Sequence, residues 1–358
     1  MSDLPFDPVE LMREHPEKMR IPGGLLTKQG AQTYVGSMPA VTGTLFFNDA
    51  HVPEVREAIC ACFDEYEVVA KKHLTWLWRA EPPEGPDKIA YLKSKPMRAM
   101  MKRMDEDDLV SFTYISGEQP HEAGEWEFQV FGRRGWEAKM IVRGTSSLRF
   151  SMPLLYVEEH PADFQTMFVN FARRLNAIHG YAGYGLVVSV VREDENQPFE
   201  AYLSEKLNGL DVGQPIDASR TAHQGIKTIS WLTAVSQDMV EKVGGLGTIR
   251  SELPMDWFAL YNYGAGLVIQ AGPKPEAAPT DQPKPACLVL PNKLFQSVRA
   301  PKVDLHYASK NGEPRLTGWG AEQWLKRFDI DESELMVYKA QLLDEPKLTP
   351  STTLPDRL

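Results

Sequence analysis

The first third of the chain alternates between strand-like apolar runs and a helix-like apolar stripe. The run GTLFF at 43–47 predicts a strand, and LTWLW at 74–78 predicts another. Between them, over 52–72, apolar residues recur every three or four positions, which is typical of an amphipathic helix. Pro53 suits the first turn of that helix. The order strand, helix, strand is therefore predicted for the segment 43–78.

A similar order of patterns returns after residue 153. LLYVE at 154–158 predicts a strand, the apolar stripe from Phe164 to Leu175 predicts a helix, and GYAGYGLVVSVV at 180–191 predicts a second strand. Further strand-like runs follow each unit, at 109–116, 125–132 and 148–152 after the first, and at 226–235, 257–263 and 266–272 after the second. The repetition predicts an α+β or mixed α/β fold of two related halves, each an antiparallel or mixed sheet with helices packed on one face.

A proline-rich stretch interrupts the second half. Five prolines between 273 and 285 exclude regular structure there and predict a surface loop. Outside the strands, short helices are expected at about 8–14, 200–208 and 320–328. We expect four segments along the chain, namely an N-terminal arm at 1–40, a first half at 41–153, a second half at 154–340, and a C-terminal tail at 341–358.

The glycines of GYAGYGLVV at 180–188 raise the question of a phosphate-binding loop. A dinucleotide fingerprint has the spacing GxGxxG after a strand and before a helix, so that the helix N-terminus faces the pyrophosphate. Here the spacing is GxxGxG and the predicted helix comes first. The pattern therefore favours a strand whose glycines allow close approach of a neighbouring element. A second group, VGGLGTI at 243–249, lacks the GK[ST] of a P-loop, and Gly244 is interpreted as a helix C-cap.

Composition narrows the class of protein. The chain has 358 residues and a formal charge of −10, and such a surface repels phosphate backbones, so nucleic acid is not an expected direct partner. No apolar run is long enough to span a membrane, and the first residues lack the pattern of a signal peptide, so a cytoplasmic location is expected. The three cysteines form no CxxC pair and are interpreted as buried thiols in a reducing compartment.

No motif for catalysis stands out in the sequence. The eight histidines include no HxxxH or HExxH pair, and no GxSxG elbow is present. A composite metal site built from distant residues, with His51, His160 or His179 as ligands, is left open as the basis of a metal-dependent hydrolase. We expect no cofactor and no catalytic residues.

Acidic clusters are the strongest candidates for a binding site. MDEDD at 104–108 and EQPHEAGEWE at 118–127 each place four carboxylates in a short stretch. Although a solvated turn is the simpler interpretation of either cluster, such patches also attract basic partners. Trp126 and Trp136, close to the second cluster in sequence, are candidate anchors. The predicted partner-binding set is Asp105, Glu106, Asp107, Asp108, Glu122 and Glu125.

Four blocks of the chain together resemble a bacterial family of type VI secretion immunity proteins. They are NAIHGYAGYGL at 176–186, IKTISWLTAV at 226–235, VEKVGGLGTIRSEL at 240–253 and GLVIQAGPKP at 266–275. The resemblance extends from about residue 35 to about residue 330. It implies an antitoxin that is not an enzyme, is a monomer or homodimer when free, and occludes the active site of a secreted effector, often a nuclease. The alternatives are the metal-dependent hydrolase and a scaffolding protein of the secretion machinery.

Overall fold

A single antiparallel sheet forms the frame of the molecule. The computed structural model describes residues 7–140, 144–309 and 311–358. Eleven strands are found in this part of the chain, and every pair of neighbouring strands is antiparallel. They are β1 (Ile21–Pro22), β2 (Val35–Phe47), β3 (Trp76–Trp78), β4 (Lys88–Ala90), β5 (Val110–Ile115), β6 (Glu127–Gly132), β7 (Ser146–Met152), β8 (His179–Val188), β9 (Leu232–Ser236), β10 (Phe258–Asn262) and β11 (Gly266–Ala271). Their order is β10-β11-β9-β8-β2-β7-β6-β5-β3-β4, and β1 pairs with β2.

The centre of the sheet is the pairing of β2 with β8. Ten residue pairs join the two strands, from Ser37 opposite Val188 to Phe46 opposite His179. On the far side of β2 lie β7, β6, β5, β3 and β4, whereas β9, β11 and β10 follow β8. Strands from before and after residue 153 thus lie on opposite sides of this pair. The α+β class with an antiparallel sheet is confirmed, and the common origin of the two halves stays a prediction.

The three glycines of β8 are there for packing, as the sequence predicted. A methyl group built on Gly180 would lie 2.4 Å from Leu45 Cδ2 and 2.7 Å from the Thr44 carbonyl oxygen. One on Gly183 would lie 2.4 Å from Ser230 Oγ. Since β8 is a fully buried strand, a side chain at either of these glycine positions would displace the neighbouring elements.

Helices cover the sheet. The α-helices of the described residues are α1 (Pro8–Glu14), α2 (Pro53–Ala70), α3 (Met97–Met101), α4 (Gly135–Ala138), α5 (Leu154–Glu159), α6 (Pro161–Leu175), α7 (Glu193–Ser204), α8 (Pro215–Ala218), α9 (Gln237–Lys242), α10 (Gly245–Glu252), α11 (Ala286–Phe295), α12 (Trp319–Leu325) and α13 (Leu335–Gln341). Short 3-10 turns occur at Pro16–Met19, Tyr91–Lys93, Ala222–Gln224, Gln296–Val298, Glu332–Glu334 and Leu342–Asp344. Helices α2 and α6 pack against each other, and the Phe150 ring of β7 stacks on Phe164 of α6, with ring centroids 4.8 Å apart.

Some polar side chains are also buried, and two groups of them are paired with one another. The Lys227 ammonium, almost fully buried, donates to Asp211 Oδ1 at 2.8 Å, to the Tyr181 hydroxyl at 2.9 Å and to the Val212 carbonyl at 2.7 Å. His306 Nε2 lies 2.7 Å from Glu200 Oε2. A buried charge is tolerated when it is paired and hydrogen-bonded, so these contacts hold the irregular segments against the sheet.

Three sequence predictions were wrong in place or type. The segment 154–158, predicted as a strand, is helix α5, which begins directly after Pro153. The run 226–235 becomes a strand only at β9, because the backbone of its first residues bonds to Val298, Ala300 and the His179 side chain instead of forming a strand ladder. The helix expected at 200–208 is α7, which begins earlier, within the acidic stretch at 193–195, where carboxylates are favourable at a helix N-terminus.

The C-terminal segment is extended and docked on the protein. Glu345 accepts hydrogen bonds from the first backbone N–H groups of α11, at Ala286 and Cys287. Further along, the Thr352 carbonyl accepts from Gln270 at 2.7 Å, and the Leu358 N–H donates to the Leu260 carbonyl at 2.8 Å. This segment therefore covers part of the outer edge of β10.

Candidate partner-binding surface

The first acidic cluster forms an exposed turn between α3 and β5. Asp105, Glu106 and Asp107 are exposed, and Asp108 is partly buried. We call residues 105–108 the acidic turn. Because it lies between a buried helix and a core strand, its position on the surface is fixed at both ends.

Hydrogen bonds hold the acidic turn in one shape. The Asp105 N–H donates to Asp108 Oδ2 at 2.8 Å, and the Asp107 N–H donates to Asp105 Oδ1 at 2.9 Å. The Gly135 N–H, from the start of α4, donates to the Glu106 carbonyl at 2.7 Å. The side chains of Glu106 and Asp107 make no hydrogen bond or ion pair within the described residues, so their charges are available to a partner.

A buried arginine lies beneath the turn. The Arg56 guanidinium of α2 donates to the Met104 carbonyl at 2.8 Å and to the Asp105 carbonyl. Burial lowers the pKa of Arg56, and the charges of Asp108 and Asp105 act in the opposite direction. The sequence did not indicate this residue, because its partner carbonyls lie almost fifty positions away along the chain.

Glu122 and Glu125 lie elsewhere and are less available. The Glu122 carboxylate accepts the Val35 N–H at 3.3 Å and the Gln119 N–H at 3.0 Å. Burial raises the pKa of Glu125, while the positive charge of Arg20 lowers it. Both carboxylates are only partly accessible to a partner.

The structure does not bring the two acidic clusters together. The acidic turn directly precedes β5, and Glu122 and Glu125 follow its other end, where Ile115 pairs with Glu127. The six residues of β5, with five steps of about 3.4 Å, separate the two ends of the strand by roughly 17 Å. The six predicted residues therefore form two separate patches.

The two candidate tryptophans differ in their environment. Trp126 is 5% exposed and packs edge-on against Tyr66, with centroids 6.2 Å apart, so it belongs to the core. Trp136 is 48% exposed on α4, one residue after Gly135, whose N–H bonds the acidic turn. Trp136 thus lies beside the first acidic cluster, although the second is nearer in sequence. Met140, also exposed, follows it by four residues.

Of the candidate metal ligands His51, His160 and His179, the last has both ring nitrogens in contact with other groups of the protein. His179 is buried in β8, where its Nδ1 lies 3.1 Å from the Ala234 carbonyl and its Nε2 accepts the Lys227 N–H at 2.9 Å. Burial lowers the pKa of His179 to about 3, so the ring is neutral. Among residues 7–140, 144–309 and 311–358, no three His, Cys, Asp or Glu side chains group closely enough to hold a metal ion.

Comparison with known proteins assigns the class. A family model of type VI immunity proteins matches residues 58–328, which is more than half of the chain. The chain belongs to that family, TsiV, which is described as type VI immunity for VRR-NUC. The resemblance carried by the sequence blocks is thereby confirmed, and the metal-dependent hydrolase is not favoured.

A solved structure of a T6SS protein has a closely similar fold and agrees with this family assignment. A Pseudomonas aeruginosa T6SS protein, PA0821, is 43% identical and aligns over 99% of this chain and 100% of its own, with a TM-score of 0.92. A comparison with curated proteins gave no match. In the described part of this chain, no helix has the length and apolar character needed to cross a membrane.

Proposed function

We propose that this immunity protein neutralises a VRR-NUC nuclease by binding over its active site, with the acidic turn as the centre of the contact. The family description supplies the nuclease class. The observation that carries the proposed surface is the exposed, hydrogen-bonded acidic turn beside the exposed Trp136. The role is binding rather than catalysis.

Electrostatics supports this choice of surface. A nuclease must hold a phosphate backbone, and it does so with basic side chains. Carboxylates fixed on a neighbouring protein can take the place of those phosphates and speed association. Glu106 and Asp107 are suited to that task because none of the hydrogen bonds of the turn uses their side chains.

Trp136 supplies the apolar part of the contact. Large aromatic side chains near the centre of an interface commonly account for much of the binding free energy. Trp136 is exposed and directly follows Gly135, whose N–H bonds the acidic turn, so a partner that covers the carboxylates can also cover Trp136. Glu122 and Glu125 belong to a second patch, which we propose makes a smaller contribution.

The first test of the function is rescue and complex formation. The nuclease encoded by the neighbouring gene is expressed in a laboratory bacterium with and without this chain, and the pair is then examined by size-exclusion chromatography. We expect survival and co-elution as one complex. Death despite soluble expression of this chain, with separate peaks, would remove that nuclease as the partner.

The second test concerns the surface. The variant E106K/D107K reverses two exposed charges without removing a hydrogen bond of the turn. We expect it to raise the Kd for a catalytically inactive nuclease by at least about tenfold in calorimetry. Most of that loss of affinity should come from a lower association rate. The control is E205K/D281K, which reverses two exposed carboxylates that are neighbours through the Glu205 carbonyl and the Thr280 hydroxyl. Equal affinity for wild type and E106K/D107K would exclude the acidic turn and leave the immunity function standing.

A further inference from the structure

A cleft of about 350 Å³ lies directly beside the acidic turn. Met104 and Leu109, which flank the turn on either side, line it. Its opposite wall is the proline-rich loop at 82–86, and its floor includes Met100 and Phe112. We call it the proline-walled cleft. The lining is mostly apolar, which is common in sites that take an apolar group.

Four of the five charged residues that line this cleft are basic, on a protein of net charge −10. Lys93 and Lys95 are exposed on its rim and make no ion pair within the described residues. Arg103 also lines it and is paired with Glu84. A basic cleft next to an acidic turn therefore presents two opposite charges on one continuous surface.

A buried arginine at the base of the cleft lacks a paired carboxylate. Arg79 is 9% exposed, and it donates to the carbonyls of Glu84 at 2.9 Å and Pro86 at 2.7 Å. Its Nε has no hydrogen-bond partner, and it forms no ion pair in the described part of the chain. Burial lowers the pKa of Arg79, while the nearby Tyr114 and Asp87 act in the opposite direction. A buried cation that forms no direct ion pair is a favourable neighbour for an incoming anion.

We propose that the proline-walled cleft takes a segment of the nuclease that carries a large apolar side chain flanked by carboxylates. This inference rests on the proposed function and adds a second contact of opposite sign. The apolar side chain would fill the floor at Met100 and Phe112, and the carboxylates would meet Lys93 and Lys95. Two adjacent contacts of opposite charge fix the orientation of the partner and disfavour nucleases that match only one of them.

The test uses two variants of the full chain and the same inactive nuclease. Ala80→Trp fills the cleft from an exposed position, and K93E/K95E reverses the charge of its rim. Each should raise the Kd for the nuclease by about tenfold or more in calorimetry, because the first blocks the apolar contact and the second repels the carboxylates. The matched control for charge is K28E/K242E, two exposed lysines on elements that do not line the cleft, and it should change the Kd by less than about threefold.

The outcomes separate this inference from the proposed function. If E106K/D107K weakens binding but both cleft variants bind like the wild type, the cleft is not part of the interface and the proposed function stands. If the wild-type chain does not bind the nuclease at all, both proposals are overturned. If light scattering shows a wild-type dimer that Ala80→Trp dissociates, with nuclease affinity unchanged, the occupant is a second copy of this chain and the inference is wrong.

Discussion

At the residue scale, Glu193 is a carboxylic acid whose surroundings disfavour its charged form. Burial, with the negative charge of Asp217 as the next cause, raises the pKa of Glu193 to about 8. The Gln197 amide donates to it at 2.9 Å and acts in the opposite direction. In the unfolded chain the pKa of the same group is near its ordinary value of 4.5. Between these two values the folded state holds a proton that the unfolded state has lost.

This difference gives a pH dependence with a definite sign. The unfolded state releases its proton first as the pH rises, so the contribution of Glu193 to the free energy of unfolding falls from about pH 4.5 to about pH 8 and is constant above. We expect Glu193→Gln to remove that fall, so that the variant gains stability over the wild type as the pH rises from 5 to 8. Urea midpoints at several pH values measure this. Parallel curves for the two proteins would show that Glu193 does not titrate in this range.

Also at this scale, the sequence identified the acidic residues but not their relation to the aromatic ones. Nothing in the local pattern distinguishes Trp126, which is buried in the core, from Trp136, which is exposed. The contact between Gly135 and Glu106, which brings Trp136 to the acidic turn, joins positions that are far apart in the chain. Periodicity reports only which face of its own element a residue occupies, so this kind of contact requires the structure.

At the element scale, β8 and α6 could be predicted and α5 could not. Strand β8 is marked by its glycines and by the run of apolar residues, and α6 by the apolar stripe from Phe164 to Leu175. The five residues LLYVE are too few to separate a strand from a helix by periodicity. Pro153 at the N-cap of α5 and Pro161 at the start of α6 favour the beginning of a helix at each place.

Strand β8 gives a matched pair of glycine substitutions. Gly180→Ala should lower the free energy of unfolding by about 1–3 kcal/mol, because the new methyl group meets the Thr44 carbonyl oxygen and Leu45. Gly247→Ala, in helix α10 with no atom within 4 Å of the new methyl, should be neutral or stabilise by up to about 1 kcal/mol. Chemical denaturation measures both. An equal stability for Gly180→Ala and the wild type would mean that β2 and β8 can separate enough to admit the methyl group.

At the scale of the whole molecule, the single sheet joins strands from both parts of the chain. Its two edge strands are protected from pairing with other chains in different ways. One edge is the three-residue strand β4, which is too short to recruit another strand readily. The other edge is β10, and the C-terminal segment covers part of it. The alternation of strands and helices predicted an α+β fold, but the order of the strands depends on long-range pairing that the sequence pattern does not contain.

Removing residues 346–358 should therefore destabilise the protein and expose an edge. Gln270, which is fully buried, would lose the Thr352 carbonyl, and Tyr261 would lose the Leu354 N–H. Each intramolecular hydrogen bond contributes about 0.5–1.5 kcal/mol net, and the Asp256 and Leu260 carbonyls would also lose their partners, the Leu348 and Leu358 N–H groups, so we expect a loss of several kcal/mol and increased self-association. Urea denaturation and light scattering measure these. The full-length variant Ser351→Ala, which removes an exposed hydroxyl, serves as the control. A truncated protein with wild-type stability and no self-association would show that the segment is dispensable.

The pairing of β2 with β8 also sets when a new chain can begin to protect a cell. Strand β2 leaves the ribosome early, but its ten partners in β8 lie more than a hundred residues further along. At roughly 5–20 residues per second, several seconds pass before the centre of the sheet can close, and longer before β11 is available. A half-made chain lacks the frame that positions its surface. Protection against a toxin that a neighbouring cell delivers suddenly must therefore come from copies of the immunity protein that are already complete and folded.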